Sequence, residues 1–167
     1  MTTLQKAETG DVLYGGKIAP WSKFWIRIVQ EAIRIITGGK SHVMLVLYAN
    51  TQTEKADDYV IFEFTWPRAQ CKIIDKLPET YTLHRNPDGF KFSPTCFRQK
   101  LTDDNGQFYD FLELIDFLKG KKIVTGISSK HFVCSTGIQH VMRECGYDPW
   151  SDKSAVPKDF GDWPEVK

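Results

Sequence analysis

The chain has no pair of cysteines at CxxC spacing; its four cysteines, Cys71, Cys96, Cys134 and Cys145, are scattered. Scattered thiols predict reduced cysteines rather than a disulfide framework. Together with His84 and His131 they match no common zinc spacing, so neither a metal nor any other cofactor is expected. Net charge is nearly absent, with 22 Lys and Arg against 21 Asp and Glu. The basic footprint of a dedicated nucleic-acid binder is therefore missing, and neither DNA nor RNA is an expected partner. No apolar run approaches the roughly 20 residues needed to span a bilayer. Met1 to Gly10 is polar and lacks the apolar core of a secretory signal. These absences predict a protein made in the cytoplasm, with release by another route left open. Oligomeric state leaves no trace.

What is present suits a globular domain. Apolar residues make up 41% of the sequence and aromatics 13%, and 167 residues predict a single domain spanning 1–167. Asp11 to Tyr14 reads as a short strand ending in a Gly15-Gly16 turn. Pro20 to Thr37 reads as a helix, with Phe24, Ile28, Ala32, Ile35 and Ile36 on its apolar side. Its basic polar face and early Trp21 and Trp25 allow peripheral membrane contact; packing on its own domain is the plainer reading. His42 to Tyr48 and Tyr59 to Trp66 are the strongest strand signals, joined by the polar stretch Asn50 to Asp58. Cys71 to Ile74 and Tyr81 to His84 predict two more strands. A second helix is expected from Asp103-Asp104-Asn105 through Phe108, Phe111, Leu112, Ile115 and Leu118 to Gly120. A third begins near Cys134 and stops at Gly146. The tail from Asp148 is expected to be irregular.

Chemistry concentrates on three residues. Cys134 opens the third helix after an extended His131-Phe132-Val133, where unpaired N–H groups and the macrodipole favour a thiolate. Its backbone N–H is the natural oxyanion donor. Ile138, Val141, Met142 and Cys145 continue the same face, so a buried structural cysteine fits that stripe equally. His42 opens the most apolar strand, both of whose faces are hydrophobic, as in a central buried strand. Glu63 interrupts Val60-Ile61-Phe62-Glu63-Phe64, where a buried carboxylate needs a partner. A hairpin with Tyr48 near Tyr59 sets Met44 opposite Glu63. His42 and Glu63 are then diagonal neighbours about 7–8 Å apart, bridgeable by a long side chain. One residue of slip would put them on opposite faces.

The order of Gly10-Asp11-Val12-Leu13, Ser41-His42-Val43, Glu63, Phe132-Val133-Cys134-Ser135 and Val156-Pro157-Lys158-Asp159-Phe160 resembles the circularly permuted NlpC-type papain-like cysteine hydrolases, with lecithin:retinol acyltransferase-like relatives. The resemblance runs from Gly10 to about Phe160. It implies an α+β fold: a papain-like half-barrel whose antiparallel sheet packs against helices, with the His strand before the Cys helix. It also implies Cys134 as nucleophile, His42 as base and Glu63 as orienting group. The substrate-site candidates beside them are Tyr14, Ser41 and Ser135, although Tyr14 is as readily a core residue. The long Trp-rich helix before His42 and Thr136-Gly137 after Cys134 depart from the family pattern.

The implied activity is cleavage of an amide bond, in a peptidoglycan-type peptide or related amide, through an acyl-enzyme on Cys134. Lipid-directed acyl transfer or thioester hydrolysis on the same residues is the alternative, and a catalytically silent binding module of the same fold is another. The partners expected are accordingly a peptide or a lipid amide or ester.

Overall fold

Runs of Val, Leu, Ile, Phe and Tyr make strands, and five of them form one antiparallel sheet in the computed structural model of the chain. The structure describes residues 7–16, 31, 34–35, 40–49, 59–64, 69–104, 108–109, 131–132 and 134–167. In chain order the strands are β1 (Val12–Gly15), β2 (His42–Ala49), β3 (Tyr59–Phe64), β4 (Ala69–Ile74) and β5 (Tyr81–His84). Across the sheet they run β4-β3-β2-β1-β5. Helix α1 (Pro94–Asp104) follows. Two short parallel strands, β6 (Phe108–Tyr109) and β7 (His131–Phe132), precede α2 (Cys134–Glu144), and α3 (Pro157–Gly161) lies near the C-terminus. The fold class is α+β, as expected.

β2 is the central strand, and its sequence explains why. Val43, Met44, Leu45, Val46 and Leu47 are all buried, so alternate side chains need cover on both faces. On one face Val43, Leu45 and Leu47 join Val12, Tyr14 and Phe62 against Cys134, Ile138, Val141 and Met142 of α2. Trp150, Phe160 and Trp163 complete this cluster, with the two indoles stacked 5.4 Å apart. On the other face Met44 and Val46 join Leu13, Tyr59, Ile61 and Leu83. α2 thus docks through the apolar stripe read from its sequence, and it stops at Gly146, whose φ of +88° is the left-handed turn glycine accepts readily. β1 is tied to the exit of β5 by Asp11. This carboxylate is 2% exposed, accepts Nε and Nη2 of Arg85 at 2.9 and 2.8 Å, and so is buried as a bidentate pair.

Several expectations need correction. Phe108 lies in β6, paired with His131, rather than in a helix; the chain is helical earlier, in α1, which the polar stretch around it concealed. The remainder of that expected helix lies outside the described residues. So does most of the expected helix Pro20 to Thr37, of which Glu31, Arg34 and Ile35 are described and helical. The tail is not wholly irregular: α3 forms after Val156, and His84 bridges to Glu165, extending the sheet edge. Gly15 is the last residue of β1 rather than a turn residue. Among the described residues no helix is long and apolar enough to cross a membrane.

The reading of all thiols as reduced also fails, because Cys96 and Cys145 form a disulfide. Packing of α1 against the end of α2 brings residues 49 apart in sequence to a Cα separation of 5.9 Å, within bridging range. Sequence spacing cannot report such a pairing. The reducing compartment inferred from scattered cysteines therefore loses its premise for this pair; Cys71 and Cys134 are free. Closing a loop of this length is worth about 4 kcal/mol in the chain-entropy model. Replacing both cysteines by serine is expected to lower Tm by about 5–15 °C. Calorimetry of the oxidised protein and the double variant checks this, and equal melting temperatures would refute it.

Candidate active site

Cys134 stands where β7 gives way to α2, a strand-to-helix junction that leaves the first N–H groups of the helix without intrahelical partners. The first turn carries no acidic side chain, so no neighbouring carboxylate competes with a thiolate for the positive end of the helix. Cys134 is 3% exposed, and its Sγ lies 3.9 Å from the carbonyl oxygen of Ser41. Burial on the apolar stripe and position at the helix start thus describe the same residue. What distinguishes a site from a core cysteine is the next residue along, His42.

His42 is the first residue of β2, paired with Gly15 of β1. Its Nε2 is 3.1 Å from Oε2 of Glu63, and Cys134 lies near enough to influence the charge of the ring. With Nε2 engaged by the carboxylate, Nδ1 is the nitrogen left for another partner. The β2–β3 register explains the reach. Leu45 faces Phe62 and Val46 faces Ile61, and continuing this pairing sets Met44 opposite Glu63. His42 and Glu63 are therefore the diagonal neighbours expected. The expected pairing of Tyr48 with Tyr59 is not observed: the register shifts between Val46 and Tyr48, and Ala49 faces Tyr59. That irregularity lies at the loop end of the hairpin and leaves the site end in register.

Glu63 is 3% exposed and fully engaged. Its Oε2 meets His42, while Oε1 accepts Nε2 of Gln70 at 2.9 Å and pairs with Nζ of Lys72. Gln70 is directly opposite Glu63 on β4, and Lys72 lies two positions further along the same strand. Burial pushes the Glu63 carboxyl up, but the hydrogen bond and charge of His42 and the Lys72 ammonium outweigh it, bringing it down to about 2. For His42 burial opposes the charged form, yet hydrogen bonds with Cys134 and Glu63 and their negative charges raise it to about 9. An imidazolium held by a buried carboxylate is the charge arrangement this geometry stabilises.

The other candidates are placed as follows. Tyr14 is 8% exposed in the same cluster as Cys134, edge-on to His84 and under the Lys40 ammonium, 4.7 Å from its ring centre. Ser135 is buried in the first turn of α2. Ser41 meets the thiol through its carbonyl. Gln70, Lys72, Gly15 and Tyr81 were missed by the sequence reading. The first two carried a signal: polar residues at period two beside the Glu63 strand. Gly15 and Tyr81 carried only a turn and a strand signal. Among the described residues no group of three or more His, Cys, Asp and Glu side chains is arranged to hold a metal ion.

The pH dependence follows from the two shifts. His42 is raised from 6.5 to about 9, so its contribution to stability is complete below 6.5 and is lost as pH rises through about 9. Glu63 is lowered from 4.5 to about 2, so its contribution is complete above 4.5 and is lost as pH falls toward about 2. The pair therefore stabilises most between pH 4.5 and 6.5. In Glu63→Gln the His42 midpoint, followed by NMR of its ring protons, is expected to fall from about 9 toward 6.5. A midpoint that stays in place would show that Glu63 does not hold the proton. No protein-family model and no curated protein matches this chain.

Proposed function

We propose that this protein is a cysteine hydrolase of papain-like, circularly permuted type that cleaves an amide bond through an acyl-enzyme on Cys134. The observation that carries the reading is the pairing of His42 with Glu63, Nε2 lying 3.1 Å from the carboxylate, beside a buried Cys134 at a helix start. A carboxylate behind a histidine behind a nucleophile is the arrangement that activates and orients such chemistry. The sequence resemblance supplies the substrate class, a peptidoglycan-type peptide or a related amide.

In the proposed reaction His42 holds the proton of the Cys134 thiol, and the thiolate attacks the amide carbonyl. The C–S bond forms as the carbonyl π pair moves onto oxygen, and the backbone N–H of Cys134 is the donor available to that oxyanion. Collapse breaks the C–N bond, with His42 Nδ1 delivering its proton to the departing amine. Water then gives a proton to His42, attacks the thioester and releases the acid, returning the thiol. Glu63 stays ionised throughout and fixes the tautomer and orientation of the ring.

The test uses the two free cysteines as reporter and internal control. Near neutral pH a haloacetamide is expected to label Cys134 well ahead of the exposed Cys71, and His42→Ala to slow Cys134 by about 10²–10⁴-fold. Incubation with candidate peptides should leave an acyl mass on Cys134, absent from Cys134→Ala. Equal, slow labelling of both thiols would favour a silent binding module. The lipid-directed alternative draws on one observation, the 72% exposure of Ile35 on the segment read as amphipathic. Liposome co-sedimentation that is lost in Ile35→Ser, with acyl transfer from lipid to Cys134, would favour it.

A further inference from the structure

Gly15 lies between two aromatic rings. It pairs with His42 on one side and with Tyr81 on the other, so all three project on the same face of the sheet. Two strand spacings separate His42 from Tyr81, about 10 Å. Their ring centres are nevertheless 6.5 Å apart, with planes at 81°. Both rings lean over the glycine from opposite sides. A Cβ on Gly15 would lie 2.3 Å from the Thr80 carbonyl oxygen, 2.8 Å from the Tyr81 Cα and 2.8 Å from its Cγ. Two of these three atoms are backbone and cannot step aside, so the space exists only while residue 15 has no side chain.

We propose that Tyr81 is a positioning residue for His42, its ring occupying the space above Gly15 and walling the imidazole into the one orientation that serves both Glu63 and Cys134. The proposal rests on the reading of these three residues as a catalytic set. A half-turn of the imidazole about its bond to Cβ exchanges each nitrogen for a carbon and breaks the hydrogen bond with Glu63. Glu63 restrains the ring from one edge; a ring set nearly at right angles restrains rotation, and edge-to-face aromatic contacts at this distance are attractive. Tyr81 acts as a neutral group while doing so. Burial, reinforced by the negative charges of Glu63 and Cys134, raises its phenol above the ordinary value, so it stays protonated where the site would work.

Tyr81→Leu, which keeps an apolar side chain but loses the plane, separates positioning from packing, and Tyr81→Ala and Gly15→Ala accompany it. In the full chain, Tyr81→Leu is expected to slow haloacetamide labelling of Cys134 by about tenfold while leaving Cys71 unchanged, since small misplacements of reacting groups cost rate steeply. The His42 midpoint, read by NMR, should fall by about one unit as the hydrogen bonds that sustain it become intermittent. Tyr81→Phe, which returns the ring, should recover both. A folded Tyr81→Leu protein with wild-type labelling and an unmoved midpoint overturns the proposal, and so does loss of both in Tyr81→Phe, which would assign the role to the hydroxyl. Wild-type labelling of Cys134 no faster than Cys71 overturns the catalytic reading instead, while the His42 midpoint still decides the role of Tyr81.

Discussion

Keeping a carboxylate ionised with 3% of its surface exposed requires compensation from the protein itself, and Glu63 draws it from the strands on either side. β2 contributes the His42 imidazolium, while β4 contributes the Gln70 amide and the Lys72 ammonium. The arrangement makes demands on everything around it. β2 and β3 have to keep a single register at this end, β4 has to pair in step, and β1 has to present a residue without a side chain next to His42. Failure of any one would leave a buried charge uncompensated, which costs more than a lost surface contact.

The fold's constraints act at different levels. The hydrophobic effect fixes which faces are covered: β2 is buried on both, so α2 and the C-terminal aromatics take one side and the smaller cluster around Leu13 and Val46 the other. The Asp11–Arg85 pair fixes the neighbourhood of β1 and β5. The buried network around Glu63 then forms where β2 begins, near the start of α2, at one end of these layers. Because Cys134 belongs to the cluster on one face while His42 and Glu63 project on the other, they can meet only at the strand end, where the sheet no longer separates the faces.

Much of this was legible in the sequence. Alternation located β2 and β3, the apolar stripe located α2, and the unexplained carboxylate in a strand identified Glu63 as a residue needing a partner. The hairpin register was right at the site and wrong near the loop, because a local shift after Val46 changes pairing without altering composition. Long-range features were not legible. Nothing local in Cys96 or Cys145 announces a disulfide across 49 residues, and nothing in Gly15 distinguishes a strand residue crowded by Tyr81 from a turn residue. Phe108 went to the wrong element because its periodicity fits a helix, whereas parallel pairing with a strand 23 positions on (108 to 131) is a tertiary choice.

The disulfide has a consequence for the company this protein can keep. α2, an 11-residue helix about 16 Å long, begins with a cysteine whose proposed chemistry requires the free thiol and is followed at once by one that is already oxidised. A milieu reducing enough to guarantee the first endangers the second, and an oxidant able to form the second threatens the first. Cys134 is buried at the helix start, whereas Cys96 and Cys145 are half-buried where α1 packs against the end of α2. The two ends of one helix therefore hold sulfur in two oxidation states, a free thiol at its beginning and a disulfide at its end.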